Sequence, residues 1–257
     1  MILTDSIKDF RNKIGKGAVF GPFSKTTDPA VIETTGYAGF DFIILDLEHG
    51  PNNTENLQNL IRAAQLAGIL PVVRVKEKVP SLIGEVLDIG AGGVQVPQAR
   101  NADDAREIVE LARFSPEGMR GVCRFVRAAG YSSIEKKRYF SEANNALIIL
   151  QLEGEEAINN LEDILEVKGF DIIFIGPYDL SQSLGVPGEV SHPLVAEKMK
   201  QIIEKCKNRG IIAGNFTDTI EDVSKWIKMG VRYVSYSVDL GIYYNACRGV
   251  LADIKRC

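Results

Sequence analysis

The sequence predicts an α/β protein folded as a single (β/α)8 barrel, and three observations carry that expectation. Short apolar runs rich in Val and Ile alternate with amphipathic segments along the whole chain. A glycine stands just before most of these runs, where a helix would end. The runs number eight, the count that closes a parallel barrel. A doubly wound open sheet is the competing arrangement, but no G-x-G-x-x-G follows an early run. The 257 residues suit one domain of this kind, spanning 1–257.

Taken in order, the expected strands are Ala18–Pro22, Phe42–Leu45, Leu70–Val75, Val94–Val96, Ala146–Leu152, a run beginning at Ile172, Ile211–Ala213 and Tyr233–Val238. Gly39-Phe40-Asp41-Phe42-Ile43-Ile44 and Gly169-Phe170-Asp171-Ile172-Ile173-Phe174 read as the same helix-to-strand junction used twice. Apolar residues at three- and four-residue spacing predict helices over 30–38, 54–67, 81–89, 103–114, 193–208 and 219–229. An insertion between Arg113 and Ala146 carries a helix from Ile134 to Ala143. It also places Arg120, Arg124 and Arg127 as an excess of positive charge, expected beside the strand mouths. Leu240–Ile254 is unusually apolar, and the C-terminal helix over 239–257 is expected to pack in part on a neighbouring subunit.

Composition narrows the function. A net charge of −4 gives no basic field, which argues against nucleic acid or an anionic membrane as partner. No apolar run approaches the roughly 20 residues of a membrane helix. The N-terminus has scattered charges and no signal-peptide core. The four cysteines lack paired or zinc-ligand spacing, and free thiols in a reducing cytoplasm account for them most simply.

In a parallel barrel the reactive groups belong at the carboxyl ends of the strands. The second run ends in Asp46-Leu47-Glu48-His49 before a Gly-Pro turn, and the third ends at Arg74. Asp88 closes the third helix pattern. The fifth run delivers Gln151 and Glu153, the sixth Gly176 and Asp179, and the eighth ends at Asp239. Two carboxylates at one mouth repel unless they share a cation. With Glu153 and Asp179 and no Cys-His cluster, Mg²⁺ or Mn²⁺ fits best, completed by water and substrate oxygens. Each acid singly could instead cap the following helix. The turn Gly176-Pro177-Tyr178-Asp179 can aim the amides of Tyr178 and Asp179 at an anion. Arg74 could stabilise an oxygen with its fork of donors, or form a salt bridge to Asp46 or Glu48. His192 is expected beside a helix start, in a structural role.

The segments LDLEHGPNN, PVVRV, VLDIGAGGVQVPQARNADDARE, PEGMRGV, LQLEGEEAINNL and IFIGPYDLSQSLG occur in the order found in the HpcH/HpaI aldolases. The chain therefore resembles the metal-dependent class II pyruvate aldolases of that family from about Gly21 to Asp239. The resemblance implies aldol cleavage of a 4-hydroxy-2-oxo acid into pyruvate and an aldehyde. It also implies a divalent cofactor (Mg²⁺, Mn²⁺ or Co²⁺) and a homo-oligomer, a hexamer built as a trimer of dimers, with the last helix exchanged between subunits. On it, Glu153 and Asp179 match the metal ligands and His49 matches the base, with Asp88 orienting it. Arg74 matches the holder of the enolate oxygen, Gln151 a pyruvate contact, and the Tyr178 and Asp179 amides the carboxylate site. Asp46 and Glu48 match the motif in supporting roles. Sugar-acid aldolases of the family often read R-G-V-G-S followed by A-R-A. Here Arg120 to Arg127 reads RGVCRFVR, in a loop that the resemblance places at the aldehyde pocket.

Two other readings remain. One keeps the enolate but changes the bond, as in a lyase or decarboxylase acting on an acyl-CoA or oxaloacetate-type substrate. It is weakened by the absence of a dedicated phosphate loop. The other is a non-catalytic metabolite-binding barrel, disfavoured because His49, Arg74, Glu153 and Asp179 are all present. No strand-end lysine apart from Lys76 is expected, which leaves a Schiff-base route without a nucleophile.

Overall fold

A computed structural model describes residues 3–257. Eight parallel strands pair in sequence order and close on themselves as a barrel. They are β1 (Val19–Ser24), β2 (Phe42–Asp46), β3 (Leu70–Arg74), β4 (Gly93–Val96), β5 (Leu147–Leu152), β6 (Ile172–Ile175), β7 (Ile212–Thr217) and β8 (Tyr233–Val238). Helices fill the connections: α1 (Leu3–Lys16), α2 (Pro29–Tyr37), α3 (Thr54–Leu66), α4 (Pro80–Asp88), α5 (Ala102–Ala112), α6 (Lys136–Ala143), α7 (Glu155–Asn159), α8 (Leu161–Glu166), α9 (Pro177–Ser183), α10 (Pro193–Asn208), α11 (Ile220–Met229) and α12 (Asp239–Ile254). Gly39 and Gly169 take the left-handed φ of 97° and 102° that the repeated helix-to-strand junction requires.

The period of two along each strand separates two apolar layers. Outward residues such as Ile43, Leu45, Val73, Ile148 and Ile173 pack under the helices. Inward residues Phe42, Ile44, Leu70, Val72, Leu147, Ile149, Ile172, Phe174 and Tyr233 fill the barrel. Phe42 stacks on Tyr233 with ring centroids 4.1 Å apart, and Phe10 of α1 meets both edge-on. Helix α1 thus plugs the amino-terminal end of the barrel with Ile7, Phe10 and Ile14. The scattered charges of that segment had concealed its amphipathic face in the sequence.

Continuing the same alternation upward, the next inward positions are polar: Asp46, Arg74, Gln95 and Gln151, all buried. Asp46 lies opposite Arg74 in the β2–β3 register, and Arg74 opposite Gln95 in β3–β4. An apolar floor therefore carries a layer of hydrogen-bonding groups at its carboxyl-terminal rim.

The insertion between α5 and β5 lies at the other end. A segment leading from a helix back into a strand must arrive at that strand's amino-terminal end, so this loop sits beside Gly90, Ala91 and Ala146, far from the rim. The expectation of free positive charge at the strand mouths is corrected accordingly. Arg120 pairs with Asp88 and lies over the Phe114 ring, Arg124 donates to the carbonyls of Ser132 and Ile134, and Arg127 donates to Ile89 O and Gln65.

Helix α12 leaves the barrel. Its first residue, Asp239, is buried, but every residue from Tyr243 onward is exposed. Tyr243, Tyr244, Val250, Leu251 and Ile254 are all among the exposed large apolar side chains. The cysteines are unpaired, and no helix among the described residues is long and apolar enough to cross a membrane.

Candidate active site

The ends of β2 and β3 build one half of the rim. Asp46 accepts Arg74 Nε at 2.9 Å and Nη2 at 2.8 Å, a bidentate fork, together with the amides of Glu48 and His49. Burial alone would raise the Asp46 carboxyl, but the Arg74 guanidinium and the two amides hold it below the ordinary carboxylate value. The third face of Arg74 turns to Glu48, with Nη1 3.0 Å from Oε2. Glu48 Oε2 is buried without an aligned hydrogen-bond partner. Burial raises the Glu48 carboxyl, Arg74 opposes this, and the Asp46 and Asp179 carboxylates add to the rise. Arg74 thus adopts the salt bridges that were the alternative to an oxyanion role. A guanidinium carries five N–H groups; two donate to Asp46 and Nη1 faces Glu48 without an aligned bond, so donors remain for a substrate oxygen.

The ends of β4, β5 and β6 build the other half. Gln95 donates to Gln151, and Gln151 donates in turn to Glu153 Oε2. The amide of Gln98 holds Glu153 Oε1 at 3.0 Å. Glu153 is pushed up to about 7, first by burial and further by the Glu48 and Asp179 carboxylates, against the pull of these hydrogen bonds. Gly176 lies beside it: a side chain there would put its Cβ 3.3 Å from both Glu153 Cβ and Oε2, so the glycine keeps the carboxylate's face open. Gly176 caps α9 and Pro177 takes its first turn, which leaves the amides of Tyr178 and Asp179 without intrahelical partners.

Two adjoining cavities open on this rim. One, of about 410 Å³, is lined by Lys25, His49, Arg74, Gln151, Gly176 and Tyr178, over an apolar side of Phe23, Phe174, Phe216 and Val238. The other, of about 390 Å³, lies between Glu48, His49, Glu153 and Asp179. His49 borders both, its side chain 57% exposed and its Nε2 3.9 Å from Glu48 Oε2. The residues that sequence reasoning missed are Lys25, the aromatic side of the cavity, and Asp218, which accepts the Tyr178 hydroxyl at 2.6 Å. That bond pushes Tyr178 up to about 12. His192, as expected, caps a helix: its Nδ1 accepts the Leu194 amide at the start of α10.

Asp88 does not join this group within the chain. It ends α4 at the opposite end of the barrel, bound to Arg120, because a helix following a strand runs back to the amino-terminal side.

Comparison with known proteins gives the same picture over nearly the whole length. The family model described as HpcH/HpaI aldolase/citrate lyase matches residues 20–246. The chain belongs to this family. A 2-keto-3-deoxy-L-rhamnonate aldolase of Escherichia coli O17:K52:H18 is 35% identical over 249 residues, 96% of this chain and 92% of that protein. An HpcH/HpaI aldolase/citrate lyase family protein from Burkholderia cenocepacia J2315 superposes with a TM-score of 0.91 at 29% identity, covering 98% of this chain and 99% of that one. Citrate synthase SbnG superposes with a TM-score of 0.86 at 32% identity, over 97% of both chains. As an HpcH/HpaI protein the chain is a carbon–carbon lyase of the aldolase kind.

The donor set fits a hard divalent cation. Glu48, Glu153 and Asp179 line one cavity with no thiol among its lining residues, so carboxylate oxygens dominate the donors. Among the described residues no three of His, Cys, Asp or Glu form a ready-made metal cluster. A cation held by Glu153 and Asp179 would therefore complete its shell with water and substrate oxygens, as Mg²⁺ commonly does.

Proposed function

We propose that the chain cleaves a 4-hydroxy-2-oxo acid into pyruvate and an aldehyde, with the reverse addition at the same site. The observation that supports this most is the facing of two halves across one mouth: a buried, doubly anchored guanidinium on β3, and an acid pair just after β5 and in α9. A divalent cation held there would polarise the 2-oxo group and stabilise charge on its oxygen.

The side chains do the rest. In the cleavage direction His49 accepts the proton of the 4-hydroxyl, the C3–C4 bond breaks, and its electron pair remains on the three-carbon fragment as an enolate. Arg74 donates its remaining N–H groups to the enolate oxygen, and its bonds to Asp46 fix its direction before the charge develops. Gln151, tied between Gln95 and Glu153, fixes the inner wall, and the Tyr178 and Asp179 amides hold the substrate carboxylate. A proton delivered to C3 then releases pyruvate. Asp46 acts by positioning, since it holds both Arg74 and the amide of His49.

Incubating the enzyme and Mn²⁺ with a panel of 4-hydroxy-2-oxo acids should release pyruvate from at least one, measured by coupling to lactate dehydrogenase. Similarity to a citrate synthase at 32% identity favours one second reading, in which the site joins an enolate to oxaloacetate. Release of free CoA from acetyl-CoA with oxaloacetate, and no pyruvate from the panel, would select it.

The same reading has α12 packing on a second copy of this chain, since its apolar residues from Tyr243 onward have no cover within the barrel. Sedimentation should give an oligomer for the full chain and a monomer once residues 243–257 are removed; oligomers of equal size would contradict it.

A further inference from the structure

Asp239 stands where β8 passes into α12, and the chemistry assigned above gives it no part. It shares the carboxyl-terminal end of the barrel with the other strand-end acids, yet it lines neither rim cavity. It is 8% exposed, and four donors meet its carboxylate. The Ser24 hydroxyl donates to Oδ2 at 2.7 Å and the Lys25 and Thr26 amides at 3.1 Å, while the Leu240 amide donates to Oδ1 at 2.7 Å. An ionised carboxylate can accept all of them, since neither oxygen carries a proton. Three of the four donors belong to the end of β1 and the loop after it, so Asp239 fixes residues 24–26.

That segment in turn holds the loop after β2. Buried Asn52 donates from Nδ2 to Thr26 O at 3.1 Å. Gly50 lets the two loops close on each other: a side chain there would put its Cβ 2.6 Å from Asp46 O and 3.6 Å from Lys25 Cα. His49 lies between these anchors. Its ring makes no hydrogen bond among the described residues, and Nε2 stands 3.9 Å from Glu48 Oε2, so the course of the backbone decides where the ring stands. On one side that backbone is held by Asp46, which accepts the amides of Glu48 and His49. On the other it is held by Asn52 on Thr26, whose own amide is bound to Asp239.

We propose that Asp239 is a positioning residue for the base: it sets Thr26, Thr26 holds Asn52, and Asn52 fixes the far side of the turn that presents His49 to the 4-hydroxyl. This rests on the aldolase reading above. The groups assigned to substrate binding, Arg74, Gln151, Glu153 and the Tyr178 and Asp179 amides, run from β3 to α9 and lie outside this chain of contacts. Loss of the Asp239 carboxylate should therefore slow cleavage rather than weaken binding.

Asp239→Asn keeps the size of the side chain but exchanges one accepting oxygen for an NH2 group, which cannot accept a backbone amide. With a 4-hydroxy-2-oxo acid that the wild-type enzyme cleaves, kcat should fall roughly 10²-fold, the effect of misplacing a reacting group by about 1 Å, and KM should stay near wild type. The deciding comparison is made in His49→Ala, where no base is left to place. Adding Asp239→Asn there should lower kcat no further, whereas independent effects would multiply. Asn52→Ala cuts the same chain at its far end, should show the same pattern, and takes the same comparison where Asp239→Asn does not fold. An equal fall in both backgrounds would reduce Asp239 to a support of the fold and overturn the proposal, as would an unchanged kcat in the single variants. A wild-type enzyme that releases no pyruvate from any 4-hydroxy-2-oxo acid would sink the aldolase reading and this proposal with it, an outcome told apart because it precedes any substitution.

Discussion

Arg74→Ala should lower exchange of the pyruvate methyl protons with solvent by roughly 10²–10³-fold, the cost of removing one well-placed donor to a developing oxyanion. The residue it leaves behind makes the effect larger than a lost contact. Asp46 is fully buried, and two of its hydrogen bonds come from the Arg74 fork. Stripping one partner from a buried ion pair costs about 3–5 kcal/mol, so the variant should also melt at a lower temperature. Arg74→Lys separates the two effects. A lysine keeps a positive charge near Asp46 and much of the stability, but it lacks the planar fork that serves Asp46, Glu48 and substrate together. Thermal stability near wild type with exchange still strongly reduced is the expected pair of results. Full exchange in a stable Arg74→Lys protein would deny the guanidinium its role at the enolate.

Divalent-cation affinity should rise steeply with pH and level off above about 7, because Glu153 is pushed up to about 7 when no cation is present. The sign follows from proton counting. Between the ordinary carboxylate range and about 7, the folded protein holds a proton on Glu153 that the unfolded chain has released. This group therefore makes the metal-free protein less stable as pH rises through that window. A cation binds the ionised carboxylate, so it must displace that proton below about 7 and binds without this cost above. Glu153→Gln removes both the ligand and the titration. Its affinity for Mn²⁺, followed by calorimetry, should fall by more than the ~10–100-fold typical of outer-shell changes, and the pH dependence should flatten. An affinity in Glu153→Gln equal to wild type would place the cation elsewhere.

Much of this rim was legible in the sequence because buried strands end abruptly. Asp46, Arg74 and Gln151 each follow an apolar run, so their inward direction follows from the period of two along β2, β3 and β5, and Glu153 comes just past the end of β5. Strands β1 and β7 were harder. β1 reads VFGPFS and β7 reads IAGNFT, and in each a glycine and a residue that breaks the apolar run hide the strand's last turns. Ending β1 at Pro22 rather than Ser24 was enough to leave Lys25 off the mouth. Asp88 and the Arg120–Arg127 loop were harder to place for another reason: within one chain, topology puts the C-terminal end of a helix and a helix-to-strand loop at the far side of the barrel from the rim. Asp218 had no signal in the sequence, since its place depends on a tyrosine 40 residues earlier.

Proton exchange at the pyruvate methyl group, followed by NMR in deuterated buffer, examines enolate formation without any aldehyde present. The account predicts rapid loss of the methyl signal with enzyme and Mn²⁺ or Mg²⁺, none after treatment with EDTA, and recovery when the cation is returned. Exchange that continues at full rate in the chelated enzyme would contradict it, since Glu153 and Asp179 would then have no cation to hold.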